Sequence, residues 1–146
     1  MGYFNSIDIA ASALTAQRLR MDIISQNIAN SETTRTEDGT AYRRRIVVFR
    51  EKENTKPFSQ YLAESSEKIT SGGVEVSSII EDQTPFKRVY DPGHPDADEA
   101  GYVEMPNVDI VTEMVNMISA SRAYEASITS LNTSKSMALK ALDIVK

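Results

Sequence analysis

The residues able to do chemistry are few, and they crowd into one loop. His94 is the single histidine and there is no cysteine. That removes disulfides, thiolate catalysis and cysteine-based zinc sites. It also reduces any Ser-His-Asp or Cys-His arrangement to His94 alone. His94 stands between Gly93 and Pro95, which makes a turn and not a rigid catalytic element. Asp96, Asp98 and Gly101 follow. Laid over an EF-hand loop, Asp96 and Gly101 put Ala100 at a ligand position and Asn107 where a bidentate glutamate belongs, so the calcium pattern fails. One histidine without cysteine builds no zinc site. The expectation is no metal and no cofactor, and a Pro-stiffened, solvated turn over Asp91–Glu104. There is no P-loop and no G-x-G-x-x-G. Asn132-Thr133-Ser134 fits a glycosylation sequon but falls inside a predicted helix. Met1-Gly2 with Ser6 fits only a loose myristoylation pattern. The sequence predicts no catalytic constellation, and so no enzyme.

The elements around that loop carry more information. Val108 to Lys146 contains no Gly or Pro, so nothing in it breaks a helix. Ile110, Met117, Tyr124, Leu131, Ala138 and Val145 recur every seventh residue. A second row, Met114, Ile128 and Leu142, lies four residues on, interrupted by Ser121 and Lys135. A seven-residue repeat makes a narrow seam suited to a partner helix. At about 1.5 Å per residue the helix would span roughly 55 Å, so part of it should leave its own globule. The same period marks the start of the chain, at Ile7, Leu14, Met21 and Ile28, where Ala10, Ala11 and Ala13 allow close approach. The two helices can pair within one molecule, between molecules, or as the core of an ordinary bundle.

Charge separates the ends from the middle. Residues 1–30 hold Arg18 and Arg20 against Asp8 and Asp22. Residues 108–146 hold Arg122, Lys135, Lys140 and Lys146 against Asp109, Glu113, Glu125 and Asp143. Both sums are zero, so the net −5 lies in residues 31–107. The ends suit packing and the middle suits water. An acidic total argues against nucleic acid. No apolar run reaches the roughly 18–20 residues of a membrane span, and no cleaved signal is visible. The expected organisation is mainly α with a small β domain: an N-terminal helix and Asn-rich exit over 1–34, a β-rich region over 35–107, and a C-terminal helix over 108–146.

Within the middle, Tyr42–Arg50, Val74–Ile80, Phe86–Tyr90 and Gly101–Val103 read as short strands. Arg43-Arg44-Arg45 reads as a solvated edge or as a contact to an acidic surface. Residues 51–73 read as a polar connection. The first helix ends in Ser25-Gln26-Asn27-Ile28-Ala29-Asn30. Asn and Ser compete for backbone groups, so Asn27 and Asn30 mark either a helix end or a register element against another helix.

Those residues, with Thr33-Thr34, Leu14-Thr15-Ala16-Gln17 and Leu19-Arg20-Met21-Asp22, resemble the N-terminal signature of the bacterial flagellar rod, hook and hook-associated axial proteins. The resemblance narrows to the proximal rod through Ala41-Tyr42-Arg43-Arg44, Val47-Val48-Phe49, Pro85-Phe86-Lys87, Val89-Tyr90-Asp91-Pro92 and His94 to Asp98. Gly101-Tyr102-Val103, Met105 to Asp109, Glu113-Met114-Val115 and Ala120 to Ala126 continue it, and Leu131-Asn132 and Lys135-Ser136-Met137 complete it. Only about residues 51–70 show no match. The resemblance implies a structural subunit whose terminal helices pack as coiled coils in a tubular shaft that transmits torque. It implies export through the flagellar type III apparatus without a cleaved signal, and a place in the periplasmic part of the basal body, with peptidoglycan nearby and no direct membrane insertion. Its partners would be other rod proteins and copies of itself. The expected assembly contacts are Ile7, Leu14, Met21, Ile28, Ile110, Met117, Tyr124, Leu131, Leu142 and Val145, with Asn27 and Asn30 as a hinge or register element. A soluble helical adaptor of another complex is the alternative that the same seams allow.

Overall fold

A computed structural model describes residues 3–52 and 72–143. Helix α1 spans Tyr3–Ala29, strands β1 to β4 span Arg45–Glu51, Val74–Glu81, Lys87–Tyr90 and Tyr102–Met105, and helix α2 spans Ile110–Asp143. The expected connection over 51–73 lies largely outside the described residues, as does Val145. Both helices start and stop where local chemistry requires. Asp109 caps α2, its carboxylate accepting from the Thr112 backbone N–H at 3.2 Å and from the Thr112 hydroxyl. At the end of α1 the Asn30 backbone and side-chain amides both donate to the Gln26 carbonyl, at 3.0 and 2.8 Å, which satisfies a carbonyl the helix leaves open.

The helices pack along each other. The last turn of α1 meets the first turn of α2 at Asn27 and Glu113, so the pair runs antiparallel. The buried and half-buried positions of α2 include Glu113, Met117, Ala120, Tyr124, Ser127, Leu131, Ser134 and Ala138. The row through Met117, Tyr124, Leu131 and Ala138 is the expected one. The second row is Glu113, Ala120, Ser127 and Ser134, not Met114, Ile128 and Leu142, which are exposed. The physical reason is size: Ala120 is fully buried, and small side chains let two backbones come close, whereas Met or Leu there would hold them apart. Ile110 is also exposed. In α1, Ile7, Leu14, Met21 and Ile28 are half-buried, while Ala10, Ala16, Ile23 and Ile24 are buried.

The strands do not close into one sheet. β1 and β2 form one antiparallel pair, with a bulge at Val48/Phe49, and β3 and β4 form another. The first hairpin lies along α1. Its β1 end is held at Asn27 through Arg45, and its other end at Ser12, whose hydroxyl accepts from the Val74 N–H at 3.1 Å. Fifteen helical residues cover about 22 Å and seven strand residues about 23 Å, so the two elements match in length. Gly73 makes the close approach possible. It has φ +91°, and a Cβ there would fall onto the Ser12 side chain.

Candidate functional site

The end of α1, the start of β1 and the start of α2 converge on a set of polar side chains. Asn27 is at its centre and 1% exposed. Its Oδ1 accepts from the Tyr42 hydroxyl at 3.0 Å and from the Arg45 N–H at 2.9 Å. Its Nδ2 donates to the Arg45 carbonyl at 2.9 Å and to Glu113 Oε2 at 3.0 Å. A side-chain amide has two donor hydrogens and two acceptor sites, and all four are used. Asn27 therefore pairs with β1 as a neighbouring strand would, while also reaching α2.

Glu113 is equally buried. Its Oε1 accepts from Arg44 Nε at 2.9 Å and Nη2 at 2.7 Å, and from Asn116 at 3.3 Å. Arg44 also reaches Asp82 Oδ2 at 3.3 Å. Burial works against the Arg44 charge, but the bonds to Glu113 and Asp82 outweigh it and hold the guanidinium more firmly protonated than usual. Burial raises the Tyr42 phenol above its ordinary value, so it stays a donor to Asn27. Asp82 is held below the usual carboxylate range, first by the Thr84 hydroxyl and N–H and then by Arg44. Asn107 closes the set. Its Oδ1 accepts from the Arg44 N–H at 2.8 Å, and its Nδ2 donates to the carbonyls of Asp82 and Thr84, at 3.0 and 3.1 Å.

This arrangement holds elements in place; it presents no nucleophile and no open acid–base pair. The basic triplet is not a solvated edge throughout. Arg44 is enclosed, Arg43 stacks 4.3 Å over the Phe86 ring and Arg45 lies 5.9 Å over Tyr42. The two asparagines part company: Asn30 forms the helix end and accepts from the Thr33 hydroxyl at 3.2 Å, while Asn27 joins the three elements. The chain's own sequence shows why Tyr42, Arg44, Asn107 and Glu113 escape a pattern search. Glu113 lies 86 residues from the Asn27 it binds, and only the fold brings the set together.

The loop with the only histidine is a second polar cluster. The Asp98 carboxylate accepts from the N–H groups of Ala100 and Tyr102, at 2.9 and 2.8 Å. Asp96 accepts from the Thr34 hydroxyl at 2.8 Å and lies 3.5 Å from Arg35. His94 Nδ1 accepts from the Asp96 N–H at 3.1 Å. These groups bind the turn to the Thr33–Tyr42 loop, and no group of three His, Cys, Asp or Glu among the described residues is arranged to hold a metal ion.

Residues 7–35 match the flagella basal body rod protein family, and residues 99–144 match the C-terminal family of flagellar basal body rod FlgEFG proteins. The chain is 50% identical to the flagellar basal-body rod protein FlgC of Borreliella burgdorferi, over 100% of this chain and 99% of that one. It is 46% identical to FlgC of Bacillus subtilis over the whole of both chains. The chain belongs to the FlgC family of flagellar basal-body rod proteins. It is also 47% identical to FlgC of an Escherichia coli O6:H1 strain, over 99% of this chain and 98% of that one. As a FlgC-family chain it is a structural subunit of the basal-body rod and not an enzyme. The two family matches cover α1 with its exit and α2 with the strand before it, so they meet at the Asn27–Glu113 contact.

Proposed function

We propose that this rod subunit assembles through its terminal helices, which pack as coiled coils against those of neighbouring subunits in a tubular shaft that carries torque. The observation that carries this is the division of α2 into two faces. Toward α1 it presents Glu113, Ala120 and Ser127; away from α1 it exposes Val111, Met114, Val115 and Ile118. A helix whose large apolar side chains lie outside is unfinished as a monomer, because burying each gains about 1.5–3 kcal/mol. The described helices span about 40 and 51 Å, so the end of α2 extends past α1. Leu139 and Leu142 lie on that overhang and are exposed.

Copies of this chain and other rod proteins are the partners this reading requires, reached by way of the export apparatus and set in the periplasm close to peptidoglycan. Met117, Tyr124 and Leu131 hold α2 to α1 within the subunit, while Ile110 and Leu142 are free for neighbours. The Asn27 junction sets the register of the pair, since sliding either helix by one turn would separate Asn27 from Glu113. Mass spectrometry of detergent-extracted, sedimented basal bodies tests the reading. The chain is expected there after membrane and soluble proteins are washed away. Its absence, with the chain soluble in another complex, would favour the adaptor instead.

A further inference from the structure

Four exposed residues on α2 form a discrete patch. Val111, Met114, Val115 and Ile118 stand at i, i+3, i+4 and i+7, and each is more than half exposed: 69%, 56%, 63% and 55%. That is the anchor spacing by which an amphipathic helix enters a groove. Arg122 and Glu125 end the patch, so it is two turns long.

The same molecule carries a cleft that suits it. Between α1, β1 and the first turns of α2 lies a space of about 270 Å³, with Ile23, Ile24, Ile46, Val47 and Phe49 on its apolar side and Glu113 and Asn116 on its polar side. Arg20 and Arg45 stand at its edge. Arg44 beside them is neutralised by Glu113 and Asp82. Arg20 and Arg45 have no carboxylate in ion-pair reach among the described residues. The cleft is thus half apolar and half polar, with an apolar wall from α1 and β1 and two cations that lack a direct ion pair. The α2 patch is an apolar ridge with Asp109 exposed just before it, a carboxylate held ionised by its bonds to Thr112.

We infer that the α2 patch of one copy docks into the α1–β1 cleft of a second copy, with Val115 near Val47 and Asp109 toward Arg20 and Arg45. Ridge and cleft are different surfaces of one chain, so the contact pairs unlike residues, and a copy whose ridge is engaged still offers its cleft to the next; repeated in one direction, it propagates as a heterologous contact. This deepens the rod reading and rests on it.

The lack of cysteine makes the test clean. Val115→Cys and Val47→Cys chains are co-expressed as the sole copies of this subunit, and isolated basal bodies are oxidised and analysed by mass spectrometry. The expected product is a disulfide-linked heterodimer of the two variants, missing when either is expressed alone. A dimer from Val115→Cys alone would make the contact two-fold and overturn the inference. A link from Val115→Cys to a different rod protein would give the patch another occupant and overturn it too. Basal bodies that hold both variants without any cross-link would sink the pairing while leaving the rod reading in place. Basal bodies that lack the wild-type chain altogether would sink both. As a second variant, Ile118→Asp changes an exposed position, so its unfolding midpoint should match wild type while its recovery in basal bodies falls at least tenfold. Normal recovery would overturn the inference.

Discussion

Asn27 makes four hydrogen bonds from a site closed to water, and that fixes what its replacement does. Asn27→Ala leaves Glu113 Oε2, the Tyr42 hydroxyl and the Arg45 N–H and carbonyl short of partners. Each buried polar group so orphaned costs about 1–3 kcal/mol, so denaturant unfolding should show a loss of at least about 3 kcal/mol. Asn27→Asp probes the charge. It sets a second carboxylate beside Glu113, where the amide now sits at 3.0 Å. Like charges raise the pKa of one of the pair in the folded state. A raised folded pKa stabilises below the unfolded value, and that stability is lost as pH rises. The Asn27→Asp variant should therefore gain on wild type as pH falls from 7 to 5. A pH-independent deficit would show that the two side chains are not in contact. The unaltered protein has the opposite dependence from Asp82 and Asp109, whose folded pKa values are lowered, chiefly by Thr84 and Thr112. Their contribution is present above the unfolded carboxylate value of about 3.9 and is lost as pH falls through the lowered values. Asp109→Asn keeps the cap and should flatten the acid limb of the stability curve measured by circular dichroism.

Among the elements, the contact between the β1–β2 hairpin and α1 depends on Gly73. Gly73→Ala meets both a positive φ and the Ser12 side chain, so it should destabilise by about 1–3 kcal/mol, and Ser12→Gly in the same chain should recover part of that loss. The two helices and four strands were legible in the sequence to within a few residues, because heptad spacing, caps and β-branched runs are local signals. The packed second row of α2 was not. A search for apolar repeats finds Met114, Ile128 and Leu142, but close packing chose Ala120, Ser127 and Ser134. Ser127 needs no outside partner, since its hydroxyl donates to the Ala123 carbonyl at 2.9 Å. The polar junction was legible only at Asn27, because Arg44, Asn107 and Glu113 acquire meaning from distant segments. Leu131→Asp separates the helices from the rest. The strands should keep their native amide spectrum, while recovery in basal bodies is lost. Normal motility in that variant would show that the α1–α2 packing at Leu131 is not needed for assembly.

At the scale of the molecule, the described core is small: Ile23, Ile24, Tyr42 and Val103 are its only large buried apolar side chains among the described residues. Much of the apolar surface of α2 is left for neighbours, and a subunit of this kind reaches full stability by binding its own kind. The rod reading thus makes a claim about where protection appears. Hydrogen exchange of the free, dilute chain and of the chain in isolated rods measures it directly. In the free chain the Asn27–Glu113 junction should exchange slowly and the turns of α2 beyond Leu131 quickly. In the rod the whole of α2 should become slow, its far end most of all. Equal exchange of α2 in the two states would contradict the account, because the exposed helix face would then have gained no partner.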